Sequence, residues 1–556
     1  MAPKHTRLRV IPLGGLDEVG KNMTVFQYGD DLVVVDAGIM FPDDDHPGVD
    51  LILPDYSYVL KRKDKLRGIV ITHGHEDHTG ALPYLLKELG GGVPVLGTRL
   101  TLGLIRGKLD EHKLTKVKLR EIKAGSHIAL GPFGFDFFAV NHSIPDSVGI
   151  FLRTPVANVV HTGDFKLDQT PIDGRLTDYG ALAKFGKIGV DLLMSDSTNA
   201  ETFGVTNSEA SVGEALRDII ESADRRVIVA SFSSHIHRVQ QICNAAIDAG
   251  RKVVVTGRSM VTNTKIARDL GYLEIDDDDI VDAYEANGLA PQDVVVLCTG
   301  SQGEPLSALA RMANGDHKTV QVERGDTVVI SASPVPGNEK AVSRVINRLA
   351  KAGAIVMHKG NAKVHVSGHA AAEELKLMLN LVEPTYFMPI HGETRHLTAH
   401  ARLASAVGMY DENVFVLDNG DCLELDASGA KQCERVEHGV VYVDGLGVGD
   451  VGNVVLRDRQ LLAQDGIATV IIAIDGQTGR PIGDPELVTR GIVFGAEGEQ
   501  LLAEARARVS KTLAKTAKEG ATDQAVVKNA VRESLSQLLW ERIRRRPMII
   551  PVVLEV

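Results

Sequence analysis

The chain has 556 residues, of which 44% are hydrophobic and 24% charged, and its formal net charge is −12. This length predicts about three or four domains with several buried cores, and the composition is that of an ordinary soluble globular protein. No apolar run is long enough to span a bilayer, so no membrane partner is expected, and the acidity argues against nonspecific binding of polyanions, though a local basic channel can coexist with it.

The first segment, Met1-Ala2-Pro3-Lys4-His5-Thr6-Arg7, is basic and lacks the apolar stretch of an export signal, so the expected location is the cytoplasm. Residues 8–200 then alternate short apolar strands with turns, as in Leu32-Val33-Val34-Val35-Asp36. The run Gly68-Ile69-Val70-Ile71 reads as a buried strand that ends in a polar loop, Thr72-His73-Gly74-His75-Glu76-Asp77-His78-Thr79-Gly80. A helix is expected from about 80 to 89. Residues 108–123 are rich in lysine, which reads either as a phosphate contact or as a solvated face. Further strands lead into His142, into His161-Thr162-Gly163-Asp164 and into Ser195-Asp196-Ser197-Thr198. Helices outside packed sheets, with loops gathered at one edge, predict an αββα sandwich.

From about 206 the pattern becomes helix (208–222), strand (226–230), helix (236–249) and strand (252–255), continuing through strands at 293–297 and 327–330. These repeated α/β units predict a parallel sheet inserted into the first domain. Val414-Phe415-Val416-Leu417 is expected as a closing strand of the resumed sandwich. The stretch 444–452 contains a formal G-x-G-x-x-G. We read it as a turn or linker because Asn453-Val454-Val455-Leu456 looks like a strand, and the dinucleotide motif needs a helix there. The remainder predicts a small α+β domain with a strand (468–474), helices (497–519 and 523–544) and a final strand (548–554). Arg544-Arg545-Arg546 is another candidate phosphate contact or solvated face. The expected boundaries are 1–205, 206–364 for the insert, 365–448 for the resumed first domain, 449–460 for a linker and 461–556 for the last domain. Cys243, Cys298, Cys422 and Cys433 are scattered, so buried free thiols are expected rather than a disulfide or a thiolate metal site.

The loop after residue 71 holds the densest chemistry. Imidazole and carboxylate are the donors that borderline divalent metals prefer. His73 and His75 can converge on one ion, while Asp77 and His78 turn toward a second. More ligands must then come from other strand ends, and His142, Asp164 and His391 each stand at the tip of an apolar segment. Together they make a seven-ligand set for two metals.

In this order Asp36, His73, His75, Asp77, His78, His142, Asp164 and His391 resemble the metallo-β-lactamase superfamily. Ser195-Asp196-Ser197-Thr198, His365-Val366-Ser367-Gly368-His369 and Pro389-Ile390-His391-Gly392-Glu393 resemble the three further motifs of its β-CASP nucleases, and the likeness to the bacterial ribonuclease J family covers essentially the whole chain. The resemblance implies an α/β protein: a metallo-β-lactamase αββα sandwich interrupted by a β-CASP domain, with a small α+β C-terminal domain. It implies a ribonuclease holding two Zn2+ per subunit, with Mn2+ as the other candidate. His73, His75 and His142 go to one ion, Asp77, His78 and His391 to the other, Asp164 bridges, and Asp36 supports the loop from behind. His369 is the candidate proton donor and Asp196 its orienting carboxylate; the bland alternative for His369 is a helix-start histidine. Ser233, Ser234 and the segment His365, Val366, Ser367, Gly368 and His369 are expected to grip substrate phosphates at helix starts; for the two serines a plain helix cap is the alternative. The implied activity is 5′→3′ exonuclease on single-stranded RNA, preferring 5′-monophosphate ends, with some endonuclease activity, in RNA maturation and decay. Hydroxide activated by the metals attacks phosphorus and leaves a 5′-phosphate and a 3′-hydroxyl. A homodimer or homotetramer through the C-terminal and β-CASP domains, and RNA-decay partners such as a helicase, are further implications. The alternatives are a noncatalytic RNA-processing scaffold and a DNA nuclease; the filled ligand positions and His391 argue against them.

Overall fold

The computed structural model describes residues 7–335, 337–492, 496–520 and 523–556, so the basic stretch 1–6 lies outside the described residues. The chain divides into two compact units, Met1–Phe41 with Leu51–Val441, and Pro42–Asp50 with Tyr442–Val556.

In the first unit an eight-stranded and a six-stranded sheet pack face to face. Strand periodicity decides what lies between them. On Phe133–Ala139, the side chains of Phe133, Phe135 and Phe137 enter the core shared with Val33, Val35, Val70 and Leu96 of the other sheet. Phe138 points the opposite way, onto helix residues Phe185, Leu375, Met378 and Leu379. This is the expected αββα sandwich. The strand Tyr386–Ile390 lies parallel to Leu192–Asp196 at the edge of the six-stranded sheet, so the chain returns to the sandwich after its insert.

The insert is built on a five-stranded sheet, all parallel, in the order Lys252–Thr256, Val294–Cys298, Val227–Ala230, Thr327–Ile330, Ile355–His358. Both faces are covered, as a parallel sheet requires. Val227 and Val229 meet Ile236, Val239 and Ile242 on one side, and Ile228 and Ala230 meet Leu309, Met312 and Leu349 on the other.

Four expectations need correction. Val414-Phe415-Val416-Leu417 is not a strand; Val414 makes one isolated bridge to Phe387, and the eight-stranded sheet is extended instead by Cys422–Asp426 and Gly429–Cys433. Those two strands form a hairpin in which Cys422 faces Cys433, with Cα atoms 5.3 Å apart, and the pair is a disulfide. Sequence separation hid what cross-strand register brings together. Cys243 and Cys298 are buried free thiols, as expected. Residues Asn453–Asp465 are a helix, not a linker and strand. The β-branched opening misled the reading, because the following Leu-Arg-Asp-Arg-Gln-Leu-Leu-Ala stretch consists largely of good helix formers. The glycine stretch is still no dinucleotide site. Gly447–Val448 is a hairpin arm against Val440–Asp444, and the strand after the helix belongs to a different sheet. The segment His365 to His369 is a loop between Ile355–His358 and Ala372–Val382 rather than a helix start.

The second unit has the three-stranded sheet Glu486–Arg490, Ile467–Ile474, Met548–Glu555, with helices Ala496–Lys518 and Gln524–Ile543 packed on one face. Arg544 and Arg546 lie over the Trp540 ring. Among the described residues no helix is long and apolar enough to cross a membrane.

Candidate metal centre

The chemistry-bearing residues stand at strand ends along one edge of the sandwich. His73 and His75 follow Leu66–Val70, and Asp77 and His78 lie on the short helix Glu76–Thr79. His142 follows Phe133–Ala139, Asp164 follows Asn158–His161, Asp196 ends Leu192–Asp196, and His391 follows Tyr386–Ile390. Two of these turns use left-handed backbone on residues other than glycine, Asp36 (φ 61°) and His391 (φ 55°). Such backbone is uncommon and clusters at functional sites.

The side chains converge in three sets that share Asp164, one of them Asp164, Asp196, His369 and His391; the other two hold the candidate ligands. One is His73, His75, His142 and Asp164; the other is Asp77, His78, Asp164 and His391; within each set the donor atoms all lie within 4.8 Å of one another. In the first, His75 Nδ1 is 3.1 Å from His73 Nε2 and 3.0 Å from His142 Nε2, and Asp164 Oδ2 is 3.7 and 3.6 Å from the same two Nε2 atoms. In the second, His78 Nε2 is 3.3 Å from Asp164 Oδ2 and 3.6 Å from Asp77 Oδ2, and His391 Nε2 is 3.2 Å from Asp77 Oδ2. These two sets bring together the residues that the sequence analysis named as candidate ligands for each ion.

The back of the site shows that these residues fit divalent ions. A ligating histidine ties its second ring nitrogen to an oxygen outside the site. His142 Nδ1 donates to the Gly368 carbonyl at 2.8 Å, and His78 Nδ1 donates to Asp36 Oδ2 at 2.8 Å. His73 Nδ1 lies 3.0 Å from the Thr72 hydroxyl. Asp36 is itself fixed by the Thr72 N–H and hydroxyl at 2.8 and 2.9 Å. Burial pushes His73 and His142 well below the usual imidazole range and His75 to about 4, so these three rings are neutral, the form that ligates metal. Burial also acts on His78 and His391, but the carboxylates outweigh it. Asp164, Asp77 and Asp36 hold His78 well above the usual value, and Asp164 and Asp196 lift His391 to about 10. Burial alone would raise Asp164, but His391, His78 and His73 hold it well below the carboxylate range. Protons on His78 and His391 thus balance carboxylates where cations would do the same.

Beside the second set, His369 Nδ1 donates to Asp196 Oδ2 at 2.7 Å, and Asp196 Oδ1 lies 3.3 Å from His391 Nδ1. Burial lowers His369 and Asp196 raises it, with a net upward shift. The setting of this segment differs from expectation. The strand before it ends at His358 and the next helix starts at Ala372, so His365 to His369 form a loop, neither a strand-to-helix turn nor a helix start. The His369 N–H is taken by the Ser367 hydroxyl at 3.1 Å. Gly368 is required where it stands: a Cβ there would lie 2.8 Å from His142 Cε1. Val366 packs against the core of the insert, and His365 Nδ1 is buried without a partner. Ser233 and Ser234 do lie between a strand and a helix, yet neither side chain caps it. His235 accepts from the Arg238 N–H as the cap, and the Ser233 hydroxyl accepts from Asn263 Nδ2 at 3.1 Å.

Sequence reasoning missed three supports. Asn22 Nδ2 contacts His78 Nε2 and the Asp77 carbonyl, both at 3.1 Å, the Thr72 hydroxyl braces Asp36, and the Thr198 hydroxyl lies 2.7 Å from His391 Nδ1. Thr72 and Thr198 had a signal, because each stands in a motif already singled out; Asn22 had none. Lys108 reaches no open groove; it bonds Glu76 and Thr79 at 2.7 Å each, against the helix that carries Asp77 and His78.

Family models match in the same order along the chain: the beta-lactamase superfamily domain at 33–229, the ribonuclease J beta-CASP domain at 224–349, the Zn-dependent metallo-hydrolase RNA specificity domain at 355–417 and the ribonuclease J C-terminal domain at 454–556. Ribonuclease J2 of Bacillus subtilis is 43% identical over 558 residues, covering 100% of both chains. Ribonuclease J of Mycolicibacterium smegmatis is 45% identical over 99% of this chain and 97% of its own, and that of Thermus thermophilus 44% over 99% and 95%. The chain belongs to the ribonuclease J family of metal-dependent ribonucleases. A solved structure of an Enterococcus faecalis protein of unknown function matches 75% of this chain and 100% of its own at 16% identity with TM-score 0.53, which shows a shared fold alone.

Proposed function

We propose that this chain is a 5′→3′ exoribonuclease with some endonuclease activity, acting on single-stranded RNA with a preference for 5′-monophosphate ends, in RNA maturation and decay in the cytoplasm. The observation that carries this reading is the pair of donor sets sharing Asp164, with the His369–Asp196 pair beside them. Two divalent ions held there, zinc in our reading with manganese as the other candidate, would supply a water ionised near neutral pH and neutralise charge on the phosphoryl group.

The remaining chemistry belongs to the side chains. Asp196 accepts from His369 Nδ1, which fixes the ring and leaves Nε2 to give a proton to the departing 3′-oxygen. The products are a 5′-phosphate and a 3′-hydroxyl, since the attacking group is water and the 2′-hydroxyl takes no part. Asp77, part exposed at 30%, lies on the open side of the site. The loop His365 to Gly368 and the turn carrying Ser233 and Ser234 would hold substrate phosphates, and the buried, unpartnered His365 Nδ1 supports that role. A homodimer or homotetramer is part of the proposal, with RNA-decay proteins such as a helicase as further partners. In its support, Ile550, Val552 and Leu554 alternate along the last strand as a part-exposed apolar row.

The test is cleavage of a single-stranded RNA with a 5′-monophosphate, the same RNA with a triphosphate, and a matching DNA, each with and without chelator. Early mononucleotide release from the monophosphate RNA, abolished by chelator and reduced about 10²- to 10⁴-fold in His369→Ala, is expected. Internal fragments alone would remove the 5′-end reading. Metal binding without any cleavage would make the scaffold the better account, and equal cleavage of DNA would make it a DNA nuclease.

A further inference from the structure

The first unit contains a second buried polar network, made of residues outside the candidate metal-ligand sets. Arg238, at the start of helix Ile236–Asp248, is 0% exposed, and Glu209, just before helix Ala210–Ser222, is 6% exposed. Arg238 Nε donates to Glu209 Oε1 at 2.7 Å, and Nη2 donates to the same oxygen. Its Nη1 donates to the Val364 carbonyl at 2.8 Å and to the Ser331 hydroxyl, and Ser331 Oγ in turn donates to the Val364 carbonyl at 2.7 Å. Glu209 also faces His235 Nε2 at 3.2 Å, and its N–H donates to Asp168 Oδ2 at 3.0 Å. Only a guanidinium offers enough donors in fixed directions to hold a carboxylate, a carbonyl and a hydroxyl together.

Val364 immediately precedes the segment His365 to His369. The far end of that segment is tied to the metal site by His142 Nδ1 on the Gly368 carbonyl and by His369 Nδ1 on Asp196. The near end is tied by Arg238 and Ser331, both from the insert, at the strand end after Thr327–Ile330 and on the helix that follows the Ser233 turn. A buried ion pair is weak evidence for stability, because desolvation offsets most of its attraction. Its geometry is more telling: it joins the insert to the loop that carries the candidate proton donor.

We propose that Arg238, held by Glu209, is a positioning residue that sets the register of the segment 364–369, so that His369 meets the leaving oxygen. This rests on the reading of His369 as proton donor. It predicts a defect confined to substrates whose leaving group needs a proton.

The experiment uses the full chain reconstituted with zinc and compares wild type, Arg238→Lys, Ser331→Ala and His369→Ala. It measures bound zinc per chain, kcat and KM on a 5′-monophosphate RNA, and the rate on bis(p-nitrophenyl) phosphate, whose phenolate leaves without protonation. Arg238→Lys is expected to lower kcat on RNA about 10- to 100-fold, the usual effect of losing an outer support, with KM changed less and bound zinc unchanged. The ratio of RNA rate to activated-ester rate falls in both Arg238→Lys and His369→Ala, and by a smaller factor in Ser331→Ala. If His369→Ala leaves that ratio unchanged, the proton-donor reading fails. If His369→Ala lowers it and Arg238→Lys does not, the positioning role is overturned while the proton donor stands. Equal loss on both substrates, or loss of zinc, would also overturn it. Should Arg238→Lys not fold, Ser331→Ala decides by the same ratio.

Discussion

The two buried polar clusters of the first unit balance their charge in opposite ways. At the metal centre, Asp164, Asp77 and Asp196 are held ionised by protons on His78, His391 and His369, groups that are ordinarily half-neutral near pH 7. Around Glu209, burial alone would raise the carboxyl, but His235 and the permanent charges of Arg238 and Lys166 hold it low, while burial presses His235 itself to about 4. Labile protons can be exchanged for cations, and a guanidinium cannot. The first cluster is therefore built to take a ligand, and the second is built to hold backbone in place.

Substitutions should separate the two. Asp164→Ala removes the group common to both donor sets and is expected to abolish RNA cleavage and stoichiometric metal binding; retention of two ions per chain by metal analysis would show that Asp164 is not the bridge. Arg238→Ala leaves Glu209 buried without its cation, and should cost about 3–5 kcal/mol in denaturant unfolding, the usual effect of breaking a buried pair. A loss below about 1 kcal/mol there would mean that water or His235 takes over the role. Asp36→Asn weakens the hold on His78 and should reduce metal affinity about 10- to 100-fold while leaving the fold intact; unchanged affinity in a metal titration would make Asp36 a mere turn residue.

The smallest effect concerns His400, which is fully buried behind the site with Nδ1 3.0 Å from the Ser197 hydroxyl. Burial presses it from 6.5 to about 3. Because the folded value is the lower one, its contribution to stability is complete above pH 6.5 and is lost as pH falls toward 3, by up to about 1.4 kcal/mol per pH unit. The stability gap between wild type and His400→Gln should therefore narrow from pH 7 to pH 5 in urea titrations. A gap independent of pH would mean that His400 takes up its proton in the folded chain as readily as in the unfolded one, so that burial does not depress it.

The candidate ligands were legible because metal chemistry restricts them to a few residue types, and strand ends restrict where they stand. The supports were not. Asn22 is an ordinary polar residue outside every motif, and Thr72 and Thr198 stand in motifs but nothing in the sequence says which partners on other strands they hold. Arg238 looks like any helix arginine until Glu209, Ser331 and Val364 are brought around it from 29, 93 and 126 residues away. The helix Asn453–Asp465 was misread because a short apolar window outweighed the helix-forming residues after it.

By itself the sequence determined the sandwich with its parallel insert, the small last domain, and the seven candidate ligands with His369 and Asp196. Hydrophobic period and the donor chemistry of side chains are local properties that survive in one dimension. Only the tertiary structure decided which ring nitrogen faces the site, that Cys422 meets Cys433, that the serine turn is capped by His235, and that Arg238 anchors the segment leading to His369. Those depend on register and on contacts between residues far apart in the chain, and burial makes each contact decisive because an unpaired polar group in the interior is costly.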